Sequence, residues 1–328
     1  QLVGPGYEGS AVAIQPSTGK ILAMASNPGY NPNDLMGDSA EDVWANLQEQ
    51  EGQPLVNHAG AETLPPGSIF KIITTAAGLN NGFNPSSTLT GSNVITLPDT
   101  VTELTNYANQ KCNGQDAVTL QTAFALSCNT AFVEMSEQLG ADELRKYAKA
   151  FGVGENYDLG VSTSAGTLGD LPDGAATAQS AIGQRDVTMT ALQAAVMAGT
   201  VANKGTRMQP YLVNRITDAQ MKDIRTTKPK KADQAVNEET AATLTDLMYA
   251  SERSSAGYDG NGFASKTGTA EHGEGLAPHV WYVAFDPERD IAVGVVVKNG
   301  GNLGESATGG KVSGPIGRAI LRAYQGEQ

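Results

Sequence analysis

Leu64-Pro65-Pro66-Gly67-Ser68-Ile69-Phe70-Lys71-Ile72-Ile73 is the stretch from which the rest of the chain can be read. Two prolines and a glycine stop an extended segment. Ile69, Ile72, Ile73, Ala76, Ala77 and Leu79 then recur as on a largely buried helix, which Asn80-Asn81-Gly82 ends. The pattern predicts a helix from Pro66 to about Asn81, with Ser68 in its first turn and Lys71 three positions later. Residues i and i+3 share a helix face, so hydroxyl and amine can share a proton, with Ser68 as nucleophile and Lys71 as its base. A helix start also aims backbone N–H groups outward and favours negative charge beside the serine. A serine three residues before a lysine is by itself a weak signal, because the bland reading is a surface serine beside a solvated lysine.

Composition narrows the alternatives. With 328 residues, 40% of them hydrophobic, the chain can bury one large core or two smaller ones. Lys plus Arg number 22 against 35 Asp plus Glu, a net charge of -13, and the longest basic run is Lys228-Pro229-Lys230-Lys231. That balance disfavours nucleic acid and anionic lipid as partners. No run approaches the ~18 apolar residues of a membrane span, and Gln1-Leu2-Val3-Gly4 does not read as a signal peptide. Cys112 and Cys128 lack metal-ligand spacing, and His58, His272 and His279 are the only histidines, so no metal or other cofactor is expected. The two cysteines form a disulfide in an oxidising compartment or remain buried thiols; the sequence leaves both open.

In chain order, residues 9–15 and 20–26 flank the turn Pro16-Ser17-Thr18-Gly19 and predict a β-hairpin. A polar excursion with a short helix over 41–51 follows. Beyond the Ser68 helix, 84–118 reads as loops and short irregular pieces. Helices are expected over 120–139, 142–151 and 190–202, with 156–178 as loop. An exposed hairpin or loop at 217–233 precedes an amphipathic helix at 237–253 carrying Ala241, Leu244, Leu247 and Met248 on one face. Strands at 263–271, 279–285 and 291–298 and a helix at 315–324 close the chain. Hairpin, many helices, then strands: the order predicts an α+β fold whose terminal strands meet in one antiparallel sheet flanked by helices.

Three polar clusters stand out: Ser68/Lys71, Ser127/Asn129 and Lys266-Thr267-Gly268-Thr269. Ser127 and Asn129 alone would be read as capping groups, and Lys266 as a charge on an edge strand. Together they are chemically complementary. With Pro16-Ser17-Thr18-Gly19-Lys20-Ile21-Leu22-Ala23-Met24-Ala25-Ser26, Pro65-Pro66-Gly67, Ser127-Cys128-Asn129-Thr130-Ala131-Phe132, Ile182-Gly183-Gln184 and Lys266-Thr267-Gly268-Thr269-Ala270-Glu271, nearly the whole chain resembles the transpeptidase domain of class B (monofunctional) penicillin-binding proteins. It departs in carrying Asn57-His58-Ala59 where the family commonly has Asn-Arg-Ala, and Gly183-Gln184-Arg185 where it commonly has Gly-Gln-Gly.

The resemblance implies the penicillin-recognising, β-lactamase-like fold over 1–328. An all-helical subdomain at about 60–205 is inserted between hairpin and C-terminal strands. It further implies a membrane anchor and pedestal domain not in this chain, placement on the extracytoplasmic face of the bacterial cytoplasmic membrane, and work with division or elongation machinery. The implied substrates are peptidoglycan stem peptides, a D-Ala-D-Ala donor and an amine acceptor, with β-lactams as covalent inhibitors. Ser68 is then the nucleophile, Lys71 its base, Ser127 the proton relay, and Lys266 an electrostatic support. Asn129 binds the substrate amide, Thr267, Gly268 and Thr269 form the carboxylate-binding strand, and the N–H groups of Ser68 and Thr269 form the oxyanion hole. A base must be neutral, and bringing a lysine from about 10.4 to about 7 takes roughly 4–5 kcal/mol, which burial and the second cation Lys266 can supply. A Ser-His-Asp triad using His272 or His279 competes poorly, because the serine motif brings its own lysine. A serine β-lactamase or a non-catalytic β-lactam sensor are the alternatives. No Glu-x-x-Leu-Asn element follows Ser127, and Asn129 stands where class D β-lactamases carry an aliphatic residue.

Overall fold

The structure, a computed structural model, describes residues 2, 4, 6–273 and 275–324. Strands β1 (Gly9–Ile14) and β2 (Ile21–Asn27) form the opening hairpin. Helices α1 (Ala40–Glu49), α2 (His58–Ala61) and α3 (Lys71–Leu79) follow. Four short strands come next, β3 (Thr88–Thr90), β4 (Val94–Thr96), β5 (Glu103–Thr105) and β6 (Ala117–Thr119), β3 pairing with β6 and β4 with β5. Helices α4 (Leu120–Leu126), α5 (Asn129–Ala150), α6 (Gly174–Ala181) and α7 (Ala191–Ala202) complete the helical region. Strand β7 (Thr206–Met208) leads to an exposed hairpin of β8 (Arg215–Thr217) and β9 (Asp223–Thr226), and β10 (Lys231–Gln234) returns to pair with β7. Helix α8 (Glu238–Ser254), strands β11 (Ala264–Ala270), β12 (His279–Asp286) and β13 (Ile291–Val297), and helix α9 (Ser313–Ala323) finish the chain.

The principal sheet runs β11-β12-β13-β1-β2, antiparallel throughout, so the first and last strands of the chain meet as the sequence predicts. Its central strand β13, Ile-Ala-Val-Gly-Val-Val-Val, is buried at every position, which an antiparallel strand tolerates only when both faces are covered. Helix α7 packs on β13, β1 and β12, and α9 packs on β13 and β12. The alanine-rich α7 is buried along its whole length apart from its last residue, as expected of a helix apolar on all sides. It lies close to the sheet because Gly294 leaves room: a Cβ there would sit 2.5 Å from the Ala191 carbonyl oxygen. Trp281 and Tyr282 of β12 are fully buried, packing the sheet.

Several elements differ from the sequence expectation. The helix expected over 120–139 breaks at Ser127, which adopts a left-handed conformation (φ 61°, ψ 42°). Cys128 then caps α5, which turns at Gly140 and runs on to Ala150, absorbing the next expected helix. Part of the region expected to be loop at 156–178 opens α6, started by Asp173, whose side chain accepts from the Ala176 N–H at 2.7 Å. Its Gly-Ala-Ala-Thr-Ala-Gln-Ser-Ala sequence carries no apolar stripe to announce it. The predicted cap of α8 is present, Asn237 accepting from the Thr240 N–H.

Candidate active site

Ser68 lies not in the first turn of the α-helix but in a 3-10 turn, Gly67–Phe70, that leads into α3 at Lys71. Glycines dictate this. Gly67 has φ +55°, and a Cβ on it would come within 2.8 Å of the Thr269 carbonyl oxygen. Gly183 donates no bulk either: a Cβ there would lie 2.1 Å from the Gly67 carbonyl oxygen, while the Gly67 N–H bonds to the Gly183 carbonyl at 2.9 Å. Across the cleft, the Gly268 backbone approaches Pro66, and the Trp281 indole donates to the Pro65 carbonyl at 2.8 Å. The serine turn is thus wedged between β11 and the 182–185 loop. In that loop Arg185 takes φ 63°, in the left-handed region that favours glycine, and its guanidinium donates to the Asp170 carbonyl.

Lys71 is wholly buried. Its Nζ donates to the Ser127 carbonyl at 2.8 Å, Asn129 Oδ1 at 2.8 Å and Ser127 Oγ at 3.2 Å, and it lies 5.2 Å from the centre of the Phe132 ring. Burial, and secondarily the charge of Lys266, hold its pKa well below the ordinary lysine value. All three donations need the protonated amine; once neutral, it keeps two N–H groups for the two carbonyl acceptors and turns its lone pair to a hydroxyl proton, so that the Ser127 Oγ contact reverses.

The left-handed turn at Ser127 makes this arrangement possible, because it turns the Ser127 carbonyl and hydroxyl toward Lys71 instead of along a helix. The turn is held from three sides. Cys128 is disulfide-bonded to Cys112, Asn129 Nδ2 donates to the Thr105 carbonyl at 3.1 Å, and buried Asn106 accepts from the Thr130 N–H while donating to the Ser92 carbonyl.

The third cluster sits on β11, one of the two edge strands of the sheet. Strand alternation puts Lys266 and Gly268 on one face and Ser265, Thr267 and Thr269 on the other. Lys266 is fully buried, donates to the Thr267 carbonyl at 3.1 Å and lies 5.7 Å from the Phe124 ring; burial pulls its pKa down to about 7. Thr267 and Thr269 remain half-buried. The Ser68 turn, Lys71, Ser127, Asn129 and the 266–269 strand are therefore brought together: Lys71 bonds the Ser127–Asn129 turn, Lys266 is near enough to act on Lys71, and the serine turn lies against Thr269.

His272 and His279 lie beyond the end of β11, stacked on each other with ring centres 3.9 Å apart. His279 accepts from the Asn299 N–H and His272 contacts the Ala277 carbonyl, so neither ring is bonded to Ser68. Burial depresses His279 to about 4. His58, buried, bonds Glu62 at 2.9 Å, and Glu62 pairs in turn with Lys298. Among the described residues no cluster of three or more His, Cys, Asp or Glu side chains forms a metal site, and no helix is long and apolar enough to cross a membrane. Sequence reading overlooked Glu252, a carboxylate in line with Ala241, Leu244 and Met248 on the apolar face of α8; a charge at such a position is the signal that could have found it.

Comparison with known proteins agrees with the fold and the motifs. The chain matches the penicillin binding protein transpeptidase domain over residues 9–322 and belongs to that family. It is 46% identical to the peptidoglycan D,D-transpeptidase PbpA of Mycolicibacterium smegmatis, over 96% of this chain and 66% of the relative. It is 43% identical to that of Mycobacterium tuberculosis, over 98% and 68%. The chain thus spans about two thirds of the length of these curated relatives. Among solved structures it superposes on penicillin-binding protein A from M. tuberculosis in its ceftriaxone acyl-enzyme complex, with TM-score 0.94 and 42% identity over 97% of this chain and 74% of that one. The D,D-transpeptidase domain of a peptidoglycan glycosyltransferase from Eggerthella lenta gives TM-score 0.83 at 26% identity, over 97% and 78%.

Proposed function

We propose that this chain is the catalytic domain of a peptidoglycan D,D-transpeptidase that works through a Ser68 acyl-enzyme and is inhibited covalently by β-lactams. The observation that carries the reading is Lys71: a fully buried amine, one turn after Ser68, hydrogen-bonded to the Ser127–Asn129 turn and depressed in pKa.

Ser68 Oγ attacks the carbonyl of the D-Ala-D-Ala bond as its proton passes to Lys71. The C–N bond breaks when Ser127 relays a proton to the leaving amine, freeing D-alanine. An amine of a neighbouring stem peptide then attacks the ester, loses its proton by the reverse route and releases Ser68. The N–H groups of Ser68 and Thr269 receive the oxyanion, a role supported by the close approach of Gly67 to Thr269. Asn129 holds the substrate amide, Thr267, Gly268 and Thr269 the terminal carboxylate, and Lys266 supplies positive charge behind it. The helical part of about 60–205 supplies Ser68, Lys71, Ser127 and Asn129, and the sheet supplies β11. In the intact protein a membrane anchor and pedestal would precede this domain and hold it outside the cytoplasmic membrane, where division or elongation machinery would meet it; the relatives extend beyond the part this chain matches, which leaves room for such segments.

A peptide or thioester donor offered with and without D-amino acid acceptors tests the reaction. Transfer to the amine, abolished in Ser68→Ala, is expected; hydrolysis alone would make the domain a carboxypeptidase, and rapid turnover of penicillin would make it a β-lactamase.

A further inference from the structure

Behind the carboxylate-binding strand lies a buried polar cluster that the reaction does not use. Glu252 of α8 is fully buried, and its carboxylate receives hydrogen bonds from every direction. Oε2 accepts from the Ser265 hydroxyl, the Tyr282 hydroxyl at 3.0 Å and the Ser255 hydroxyl at 3.4 Å. Oε1 accepts from Arg318 Nε at 2.7 Å and Asn261 Nδ2 at 2.9 Å. Arg318 of α9, itself buried, also donates to Ser255 Oγ and to the Ala256 carbonyl, and its guanidinium lies 5.3 Å from the Tyr282 ring. Five separate segments, α8, the 255–261 turn, β11, β12 and α9, are tied to one carboxylate.

The register shows what this carboxylate grips. Thr267 lies directly opposite Tyr282 in the β11–β12 ladder, and Ser265 is two residues before Thr267 on the same strand face. Glu252 therefore bonds the cross-strand neighbour and the same-strand neighbour of Thr267 at once. From the α9 side the Gly309 backbone presses on the same residue: a Cβ there would sit 3.0 Å from Thr267 Cβ and 2.2 Å from the Trp281 carbonyl oxygen. Among the described residues β11 has no strand on its outer side to hold it in place, so a lateral anchor is what an edge strand lacks. A buried carboxylate is costly unless its hydrogen bonds are complete; here Arg318, Asn261 and Ser255 hold it from α9 and the 255–261 turn while Ser265 and Tyr282 tie it to the β11–β12 pair.

We propose that Glu252, through the hydroxyls of Ser265 and Tyr282, is a positioning residue that fixes Thr267 for recognition of the acyl donor's carboxylate. The inference rests on the proposed role of β11 as the carboxylate-binding strand. Its effect is on one part of the substrate: loosening Thr267 weakens recognition of an anion without disabling Ser68 and Lys71, which belong to other segments.

The test uses Ser265→Ala and Tyr282→Phe, each removing one hydroxyl and leaving the Glu252–Arg318 pair, with Thr267→Ala alongside. Acylation rates are measured with penicillin G and with its methyl ester, which lacks the carboxylate, and thermal stability is recorded for each protein. Wild type is expected to prefer the acid, and Thr267→Ala to lose most of that preference. Ser265→Ala and Tyr282→Phe should each lower the acid-to-ester ratio about 5- to 10-fold while the ester rate stays within about twofold. If Thr267→Ala lowers the ratio and neither hydroxyl variant does, the positioning role is overturned. A fall in both rates together in the hydroxyl variants also overturns it, leaving only a structural role. If Thr267→Ala leaves the ratio unchanged, the reading of β11 fails and the inference fails with it.

Discussion

Lys266→Met removes a cation that the fold holds out of water. In the folded protein burial pulls Lys266 from 10.5 to about 7, which corresponds to about 5 kcal/mol of penalty on the charged form. Methionine matches the lysine stem and forfeits one hydrogen bond to the Thr267 carbonyl and the contact with Phe124, together worth about 1–3 kcal/mol. The variant should therefore gain about 2–4 kcal/mol at pH 6. For a chain of 328 residues, with an unfolding entropy of about 0.7 kcal/mol per kelvin, that raises Tm by about 3–6 °C. The folded pKa lies below the unfolded one, so the sign follows. Below pH 7 both states hold the proton and the full penalty applies. Between 7 and 10.5 only the unfolded state holds it, and the penalty fades as pH rises. The gain over wild type should thus be largest near pH 6 and close to zero by about pH 9. At pH 6, where the folded protein holds Lys266 protonated, β-lactam acylation by Lys266→Met should fall about 10- to 1000-fold, the effect of losing one charge-stabilising group, and the deficit should narrow toward pH 9 as the wild-type amine loses its proton. Calorimetry at pH 6 and pH 9 checks this. A variant no more stable than wild type at pH 6, or a gap that does not change with pH, refutes it.

Lys71→Ala should slow acylation by at least about 100-fold, and wild-type acylation, followed by stopped-flow fluorescence, should rise with pH as the depressed amine loses its proton. Opening the Cys112–Cys128 bridge, which spans 16 residues, should cost about 3 kcal/mol, or about 4–5 °C in Tm, read by melting with and without reductant. Gly183→Ala, whose Cβ would sit 2.1 Å from the Gly67 carbonyl oxygen, should lower Tm by several degrees and slow acylation at least about tenfold, measured with a labelled penicillin.

Four strands of the sheet, β1, β2, β12 and β13, were legible because they carry apolar runs bounded by turn residues, β11 because Lys266-Thr267-Gly268-Thr269 marks it, and α8 because its Asn237 cap and apolar stripe are local. The four short strands at 88–119 were not: each is three residues long, too short for alternation to register. The break at Ser127 escaped for another reason. Nothing in Leu120 to Leu139 forbids a continuous helix; the turn is imposed by partners distant in sequence, Lys71 at the carbonyl and Cys112 at the neighbouring sulfur. That override is what brings Ser127 and Asn129 to Lys71. The residues of the cleft were readable as motifs, whereas Gly67, Gly183 and Gly268 as spacers, and Glu252 as anchor, became visible only from what touches them.

Intact-mass measurement after exposure to penicillin G, on wild type and Ser68→Ala, bears most directly on the Ser68 acyl-enzyme. Wild type should gain one penicillin adduct that persists for hours, mapped to Ser68, and Ser68→Ala should gain none. No adduct on wild type, an equal adduct on Ser68→Ala, or an adduct shed within minutes would contradict the account.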